Sequence, residues 1–266
     1  MKVAVIIPAA GFSRRFSEGQ EFARSKLDED LGGRSVLQRT IEMFTKRDEV
    51  HAIIVAGPYD EEAFAEFKLR HGDKLSILGV TICRGGKTHR YETVAAALGH
   101  VPDECTHIAV HDAARPCTPV ELLDRVFDAA AQQDAVVPAI EVDETLKRVS
   151  AAETIAAEAD PVDAILGDAG KANTGFRTIE ETIDRTRLMA AQTPQVFKAD
   201  LLRRAYAQDE LSSTDDASLV ERLGEPVVVV RGDPRNIKIT RSADLRVARA
   251  ILGVRSGQPK AAHKRF

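Results

Sequence analysis

Small residues followed by two arginines occupy positions 8–15, where the chain reads PAAGFSRR. The segment follows an apolar run at residues 3–7, which is typical of a buried strand. Small side chains let backbone N–H groups approach a ligand closely, and guanidinium groups bind phosphate oxygens. We therefore predict that this corner contacts the phosphate chain of a nucleotide. Taken alone, the segment is equally compatible with a strand–loop corner that carries two solvated arginines.

Two common phosphate-binding signatures are absent from this corner. The Gly-x-Gly-x-x-Gly spacing of dinucleotide-binding folds does not occur there, and no Gly-Lys-Ser/Thr follows, as a Walker-type loop requires. Other segments must therefore decide its role.

Small and charged residues also follow three later predicted strands. They are Gly85, Gly86, Lys87, Arg90 and Thr93 after one strand, His111, Asp112, Ala113, Ala114 and Arg115 after the next, and Gly232 to Lys238 after the last. Because the carboxyl ends of parallel strands meet at one edge of a sheet, we expect these corners to form a single site.

The roles of the individual charges stay open at this point. Asp112 and Arg115 form either an ordinary salt bridge or helix cap, or a site where Asp112 meets Mg²⁺ or a sugar hydroxyl beside bound phosphates. Lys238 is either a surface lysine or a cation of the same cleft.

Apolar segments that predict strands alternate with amphipathic segments that predict helices. Ser35 is predicted to be the N-cap of the first helix. This alternation indicates an α/β fold with a mostly parallel, doubly wound sheet covered on both faces. The predicted strands are residues 3–7, 53–56, 78–82, 107–110, 135–140 and 226–231, and the predicted helices are residues 36–44, 60–71, 90–99 and 119–133.

The alternation fails at residues 141–192, which are polar and contain few large apolar side chains. We predict that this segment is an arm or loop without a sheet of its own, inserted in a single domain of residues 1–252. Residues 253–266 carry four basic residues and no acid, and a disordered tail is expected there.

Composition argues against several classes of protein. The 266 residues carry a formal net charge of −4, which disfavours a nucleic-acid partner. No run of about 18 apolar residues predicts a membrane span, and no signal-peptide pattern is present. The cysteines are Cys83, Cys105 and Cys117, an odd number without a C-x-x-C pair, so reduced thiols in a cytoplasmic protein are expected. His111 and Cys117 alone do not make a zinc site.

The chain resembles the 2-C-methyl-D-erythritol 4-phosphate cytidylyltransferases of the non-mevalonate isoprenoid pathway. Residues 8–15 and 111–116 match the two signatures of this family, and the resemblance extends from about residue 2 to residue 252. Further family motifs follow in order at residues 145–147 (TLK), 183–185 (IDR), 193–195 (TPQ), 214–218 (TDDAS) and 236–240 (NIKIT).

The resemblance implies a Rossmann-like nucleotidyltransferase sheet and a reaction between CTP and 2-C-methyl-D-erythritol 4-phosphate, with Mg²⁺ as cofactor. The products are 4-diphosphocytidyl-2-C-methyl-D-erythritol and pyrophosphate. Arg15, Lys26 and Lys238 are implied as the catalytic cations. The implied CTP contacts are Pro8, Ala9, Ala10, Gly11, Gly86, Arg90, Thr93, Asp112 and Ala113. The implied contacts of the polyol phosphate are Asp112, Arg115, Thr145, Arg185 and Lys238, with Asp112 also as the Mg²⁺ ligand.

The resemblance also implies a homodimer, in which the arm carries Thr145 and Arg185 to the partner subunit. The chain departs from the family in two places. The loop at residues 16–25 is longer and ends in Ser25-Lys26-Leu27, so Arg24 competes with Lys26 for one catalytic position. The arm has roughly twenty extra residues around 150–178, a length that suits a loop rather than a core element.

Other functions remain as alternatives. The first is a cytidylyltransferase for ribitol 5-phosphate or another polyol phosphate, whose family shares much of the motif set. The second is a nucleotidyltransferase that makes a nucleotide sugar or a molybdenum cofactor. The third is an inactive nucleotide-binding module, against which the presence of Arg15, Asp112, Arg115 and Lys238 argues.

Overall fold

The fold is known from a computed structural model, which describes residues 1–11, 16, 25–151 and 176–254. Contacts divide the chain into a main unit, formed by residues 1–140 and from residue 191 onward, and a second unit, Glu141–Ala190. The boundaries of the predicted single domain, its arm and its tail remain a prediction. Within the described residues, no helix is both long and apolar enough to cross a bilayer.

The main unit is built on a sheet formed by the strands β1 (Val3–Pro8), β2 (Val50–Gly57), β3 (Thr81–Arg84), β4 (His107–Val110), β5 (Ala135–Glu141), β9 (Gln195–Lys198) and β10 (Val228–Arg231). Their order across the sheet is β10-β5-β9-β4-β1-β2-β3, and β8 (Met189–Ala191), at the boundary between the two units, pairs with β5 outside this order. Along this order, neighbouring strands are parallel, except that β9 runs antiparallel to both β4 and β5. The predicted mainly parallel α/β sheet is confirmed.

Helices cover both faces of this sheet. Side chains alternate along β1, so that Val5 and Ile7 join one core cluster while Ala4 and Ile6 join the other. The first cluster includes residues of α1 (Val36–Glu42), α2 (Glu61–Ile77), α4 (Val120–Ala130) and α7 (Asp244–Ile251), and the second includes residues of α3 (Arg90–Leu98), α5 (Ala199–Tyr206) and α6 (Ala217–Arg222). Burial on both faces explains why β1 is apolar throughout.

The predicted start of α1 is confirmed, whereas the predicted end of α2 is wrong. The Ser35 hydroxyl accepts a hydrogen bond from the Gln38 N–H at 3.1 Å, as an N-cap does. The α2 helix continues to Ile77, and β3 begins only at Thr81. Gly79 ends the helix with a φ of +70°, so Leu78 and Val80, which predicted a strand from residue 78, belong to the turn that ends the helix.

The second unit contains a sheet of its own, so the expectation of an arm without one is wrong. β6 (Lys147–Val149) and β7 (Ile179–Thr182) pair antiparallel, with Lys147 opposite Thr182 and Arg148 opposite Glu181. Both strands are exposed, and Arg148 forms an ion pair with Glu181. Two of the three cross-strand pairs are polar, and the third joins Val149 and Ile179, which are also exposed. Strands this short and polar gave no hydrophobic signal.

Candidate active site

A cavity of about 760 Å³ opens at the carboxyl edge of the sheet in the main unit. Four separate chain segments, each at or near the end of a parallel strand, contribute to its wall. The residues that line it are Pro8, Ala9, Ala10, Gly11, Phe16, Lys26, Leu27, Gly86, Lys87, Thr88, His89, Arg90, Thr93, Asp112, Ala113, Ala114, Lys238 and Thr240. The corners after β1, β3, β4 and β10 therefore meet in one place.

Small residues allow the corners after β1 and β3 to pack closely. A Cβ on Gly86 would overlap the Cβ of Glu92 and lie 2.7 Å from the backbone nitrogen of Thr93. The N–H of Gly86 donates to the Thr93 hydroxyl at 3.1 Å. A Cβ on Gly85 would lie 3.1 Å from the Cβ of Ala10. Because it has no side chain, Gly86 allows the corner after β3 to pack directly against the first turn of α3.

Glu92 orders the loop between β3 and α3. One of its carboxylate oxygens accepts from the N–H groups of Thr88 at 2.7 Å and His89 at 3.1 Å. These backbone hydrogen bonds lower the pKa of Glu92 because they favour the ionised carboxylate. The loop delivers Arg90, the first residue of α3, to the cavity wall.

Asp112 lies among three cationic side chains. Its Oδ2 atom is 2.9 Å from Lys238 Nζ and 3.2 Å from Arg115 Nε, and its Oδ1 atom is 3.5 Å from Arg90 Nε. Burial alone would raise the pKa of Asp112, but the charges of Lys238, Arg90 and Arg115 outweigh it and lower the pKa. Asp112 is therefore an ionised carboxylate that holds the cations of three corners together.

Arg90 is fixed on its other side by Asp216. The guanidinium NH2 group lies 2.7 Å from Asp216 Oδ2, and the Tyr206 hydroxyl donates to Asp216 Oδ1 at 2.6 Å. Gln195 accepts from the backbone N–H groups of Asp216 and Ala217, each at 3.1 Å. Asp216 is fully buried, and a buried carboxylate needs partners of this kind. The sequence placed Asp216 in the TDDAS motif but gave it no role.

Polar residues beneath Asp112 fix its backbone. The Thr193 hydroxyl accepts from the Asp112 N–H at 3.0 Å and lies 3.2 Å from His111 Nδ1, while His111 Nε2 lies 3.2 Å from the Arg115 carbonyl. Burial lowers the pKa of His111 to about 4, so the imidazole is neutral. A neutral ring that donates to the carbonyl through Nε2–H and accepts from the hydroxyl at Nδ1 satisfies all of these contacts.

Arg115 connects the corner after β4 with the corner after β10. Its NH1 group donates to the Asn236 carbonyl at 2.6 Å, and the buried Asn236 side chain accepts from Thr118 at 2.8 Å and donates to the Thr193 carbonyl at 2.9 Å. Arg115 therefore supports Asp112 and the backbone that leads to Lys238. It is not among the residues of the described chain that line the cavity.

The structure gathers most of the predicted site residues but leaves others apart. All of the predicted CTP contacts, together with Lys26 and Lys238, line the cavity. Arg15 and Arg24 lie outside the described residues. Thr145 and Arg185 belong to the second unit, where both are exposed and Arg185 NH1 donates to the Val142 carbonyl at 3.4 Å.

A preformed metal centre is not seen in the described part of the chain, where no three His, Cys, Asp or Glu side chains cluster suitably. Among the described residues, Asp112 is the carboxylate that lines the cavity, and Mg²⁺ in nucleotide sites is commonly bound by one or two carboxylates together with phosphate oxygens. The donor set is therefore compatible with a cation that arrives with phosphates. The three cysteines are buried free thiols.

Comparison with known proteins supports a specific family. The family model of the 2-C-methyl-D-erythritol 4-phosphate cytidylyltransferases matches residues 3–164 and 161–254. The enzyme of that name from Symbiobacterium thermophilum is 39% identical over 94% of this chain and 92% of its own length. The one from Rhodopirellula baltica is 37% identical over 94% of each chain.

Solved structures agree with this assignment. A crystal structure of a 4-diphosphocytidyl-2C-methyl-D-erythritol synthase superposes with a TM-score of 0.67 at 29% identity, covering 94% of this chain and 98% of the other. The cytidylyltransferase from Thermus thermophilus gives a TM-score of 0.66 at 29% identity, covering 96% and 100%. The chain therefore belongs to the 2-C-methyl-D-erythritol 4-phosphate cytidylyltransferase family.

Proposed function

We propose that this chain transfers the cytidylyl group of CTP to the phosphate of 2-C-methyl-D-erythritol 4-phosphate. The observation that carries the proposal is the meeting of Lys26, Arg90 and Lys238 around one cavity, with Asp112 between two of these cations. The relatives that match nearly the whole chain carry the same activity in their names. This favours methylerythritol phosphate over ribitol 5-phosphate as the acceptor.

The chemistry needs cations more than it needs a base. A phosphate oxygen of the acceptor attacks the α-phosphorus of CTP, the bond between the α-phosphorus and the bridging oxygen breaks, and pyrophosphate leaves. The attacking oxygen is already ionised near neutral pH, so catalysis depends on alignment and on stabilising charge at the phosphate oxygens. We assign this stabilisation to Lys238, Lys26 and Arg15, of which Arg15 rests on the family motif alone.

The backbone corners provide the nucleotide site in this proposal. Ala9, Ala10, Gly11 and Gly86 allow the ribose and cytosine to lie close to the main chain, since none of them has a side chain beyond Cβ. Asp112 would hold Mg²⁺, which neutralises phosphate charge when bound. We further propose that Thr145 and Arg185 bind the acceptor phosphate and that two copies associate through the second unit.

A pyrophosphate-release assay tests the proposal. Purified protein with CTP, Mg²⁺ and 2-C-methyl-D-erythritol 4-phosphate is expected to release pyrophosphate and to form 4-diphosphocytidyl-2-C-methyl-D-erythritol, identified by mass. A parallel reaction with UTP should be slower by at least about tenfold in kcat/KM, because a site that pairs the cytosine amine discriminates strongly. Ribitol 5-phosphate should also be the poorer acceptor, since the relatives are named for methylerythritol phosphate. Faster turnover with ribitol 5-phosphate, or no turnover with any acceptor, would contradict the assignment.

A further inference from the structure

Asp28 forms an ion pair with Arg70 and a hydrogen bond with His71, and it does not itself line the cavity. Its Oδ1 atom is 2.7 Å from His71 Nε2, and its Oδ2 atom is 2.6 Å from Arg70 NH1. Both partners are on α2, more than forty positions along the chain. Asp28 follows Lys26 by two residues, and Lys26 and Leu27 do line the cavity.

Neighbouring backbone contacts make the segment of residues 25–28 a compact turn. The N–H of Asp28 donates to the Ser25 carbonyl at 3.1 Å, and the N–H of Leu37 in α1 donates to the Leu27 carbonyl at 3.2 Å. The Leu27 side chain is buried in the core cluster. Asp28 ties this turn to α2, while the Leu27 carbonyl ties it to α1.

The contact between Asp28 and His71 is partly buried. His71 is 7% exposed, and its ring packs on Phe67 with centroids 4.8 Å apart. Burial opposes ionisation of Asp28, yet the hydrogen bonds from His71 and Arg70 outweigh it and lower the pKa of the carboxyl. A polar contact at the edge of a core is costly to break, because each partner would lose its hydrogen bond.

We propose that Asp28, held by His71 and Arg70, is a positioning residue for Lys26. This inference rests on the proposed function, in which Lys26 stabilises the reacting phosphates. Lys26 lies in a turn rather than in a helix or strand, so the direction of its side chain depends on how its neighbours are held. Without the Asp28 contacts, Lys26 keeps its charge, but its ammonium group is no longer aligned with the reacting phosphates. Small misalignments of this kind reduce turnover strongly.

Kinetics of Asp28→Ala test the consequence for catalysis. We expect kcat to fall about tenfold to a hundredfold with little change in the KM for CTP, while Asp28→Asn, which keeps one acceptor oxygen, should retain more activity. In a Lys26→Ala background, Asp28→Ala should add little further loss, because the residue acts through Lys26. A merely structural role would instead give the same loss in both backgrounds, and that result would overturn the inference.

Glu66→Gln is the matched control. It removes the exposed ion pair between Glu66 and Arg70 on the same helix, 2.8 Å long, without touching Asp28. Its kcat should equal that of the unmodified protein. A loss as large as that of Asp28→Ala would assign the effect to Arg70 and α2 and would contradict the role of Asp28.

Hydrogen exchange tests, without using activity, whether Asp28 holds the turn of residues 25–28. In Asp28→Ala, backbone amides of residues 25–31 should exchange at least about tenfold faster, while the amides of β4 and β5 stay unchanged and Glu66→Gln leaves both regions unchanged. Unchanged exchange at residues 25–31 would overturn the inference, whatever the kinetics. If the unmodified protein failed to turn over CTP while exchange in Asp28→Ala changed as expected, the proposed function would be wrong, but the role of Asp28 in holding the turn would be confirmed.

Discussion

Charged side chains at the cavity act as a connected set rather than as separate binding groups. Asp112 contacts Lys238, Arg115 and Arg90, and Arg90 also forms an ion pair with the buried Asp216. The sequence indicated which of these residues lie at each corner, because small and charged residues directly follow apolar segments that predict strands. The connection to Asp216 could not be predicted, since it depends on how α6 packs near α3 and no local pattern reports that contact.

Lys238→Ala should mainly lower kcat. Losing one cation that stabilises the reacting phosphates is expected to cost about 10²–10³-fold, by analogy with the loss of one oxyanion donor, while the KM for CTP changes little. Steady-state kinetics with both substrates varied measure this. Lys198→Ala is the matched control. Lys198 is a similarly exposed lysine that does not line the cavity, and its Nζ atom is 2.8 Å from Asp134 Oδ1. A raised KM with unchanged kcat for Lys238→Ala would remove its assignment to the transition state.

Local elements were predictable where one signal dominated. Ser35 gave the start of α1, and the apolar run at residues 3–7 gave β1. Two failures had physical causes. Leu78 and Val80 resemble a strand, but they lie in the turn in which Gly79, with its positive φ, ends α2. The strand β9 has only two apolar residues, Val196 and Phe197, between Gln195 and Lys198, so it shows neither a continuous apolar run nor an alternation. Its place in the sheet depends on tertiary pairing, which sequence patterns do not contain.

Gly86→Ala should disturb the turn between β3 and α3. The new methyl group would overlap Glu92, so we expect a loss of about 1–3 kcal/mol in the free energy of unfolding and weaker CTP binding. Gly99→Ala is the control at the other end of the same helix, where φ is −67° and the nearest atom to a Cβ is 3.6 Å away. Denaturant unfolding and CTP titration compare the two. Equal effects of both substitutions would show that close packing at Gly86 does not matter.

The molecule as a whole joins a packed α/β unit with an exposed ribbon. The order of its strands could not be predicted, because β9 enters between β4 and β5 after the chain has passed through the second unit. The mainly parallel direction of the sheet was predictable, since continuous apolar strands separated by helices are typical of it. Two of the three residue pairs between β6 and β7 are polar and give no hydrophobic period, so the sequence indicated a segment apart from the sheet but not these two strands.

Arg185→Ala should separate recognition of the acceptor from recognition of the nucleotide. Because Arg185 is assigned to the acceptor phosphate, its loss is expected to raise the KM for methylerythritol phosphate by about 10–100-fold, as for a hydrogen bond to a charged group, and to leave CTP affinity unchanged. Initial rates and CTP titration measure the two effects. Arg177→Ala, which removes another exposed arginine of the second unit, should change neither. Weakened CTP binding in Arg185→Ala would disprove the assignment.

The position of Asp112 among three cations has a consequence for the energetics of substrate binding. A phosphate that reaches Lys238 meets an ammonium group beside a carboxylate oxygen 2.9 Å away. The ammonium group has three N–H donors, so it can bind the phosphate while it keeps Asp112, but repulsion between the two anions offsets part of the attraction. The same repulsion weakens the binding of pyrophosphate, which favours release of the product after each turnover.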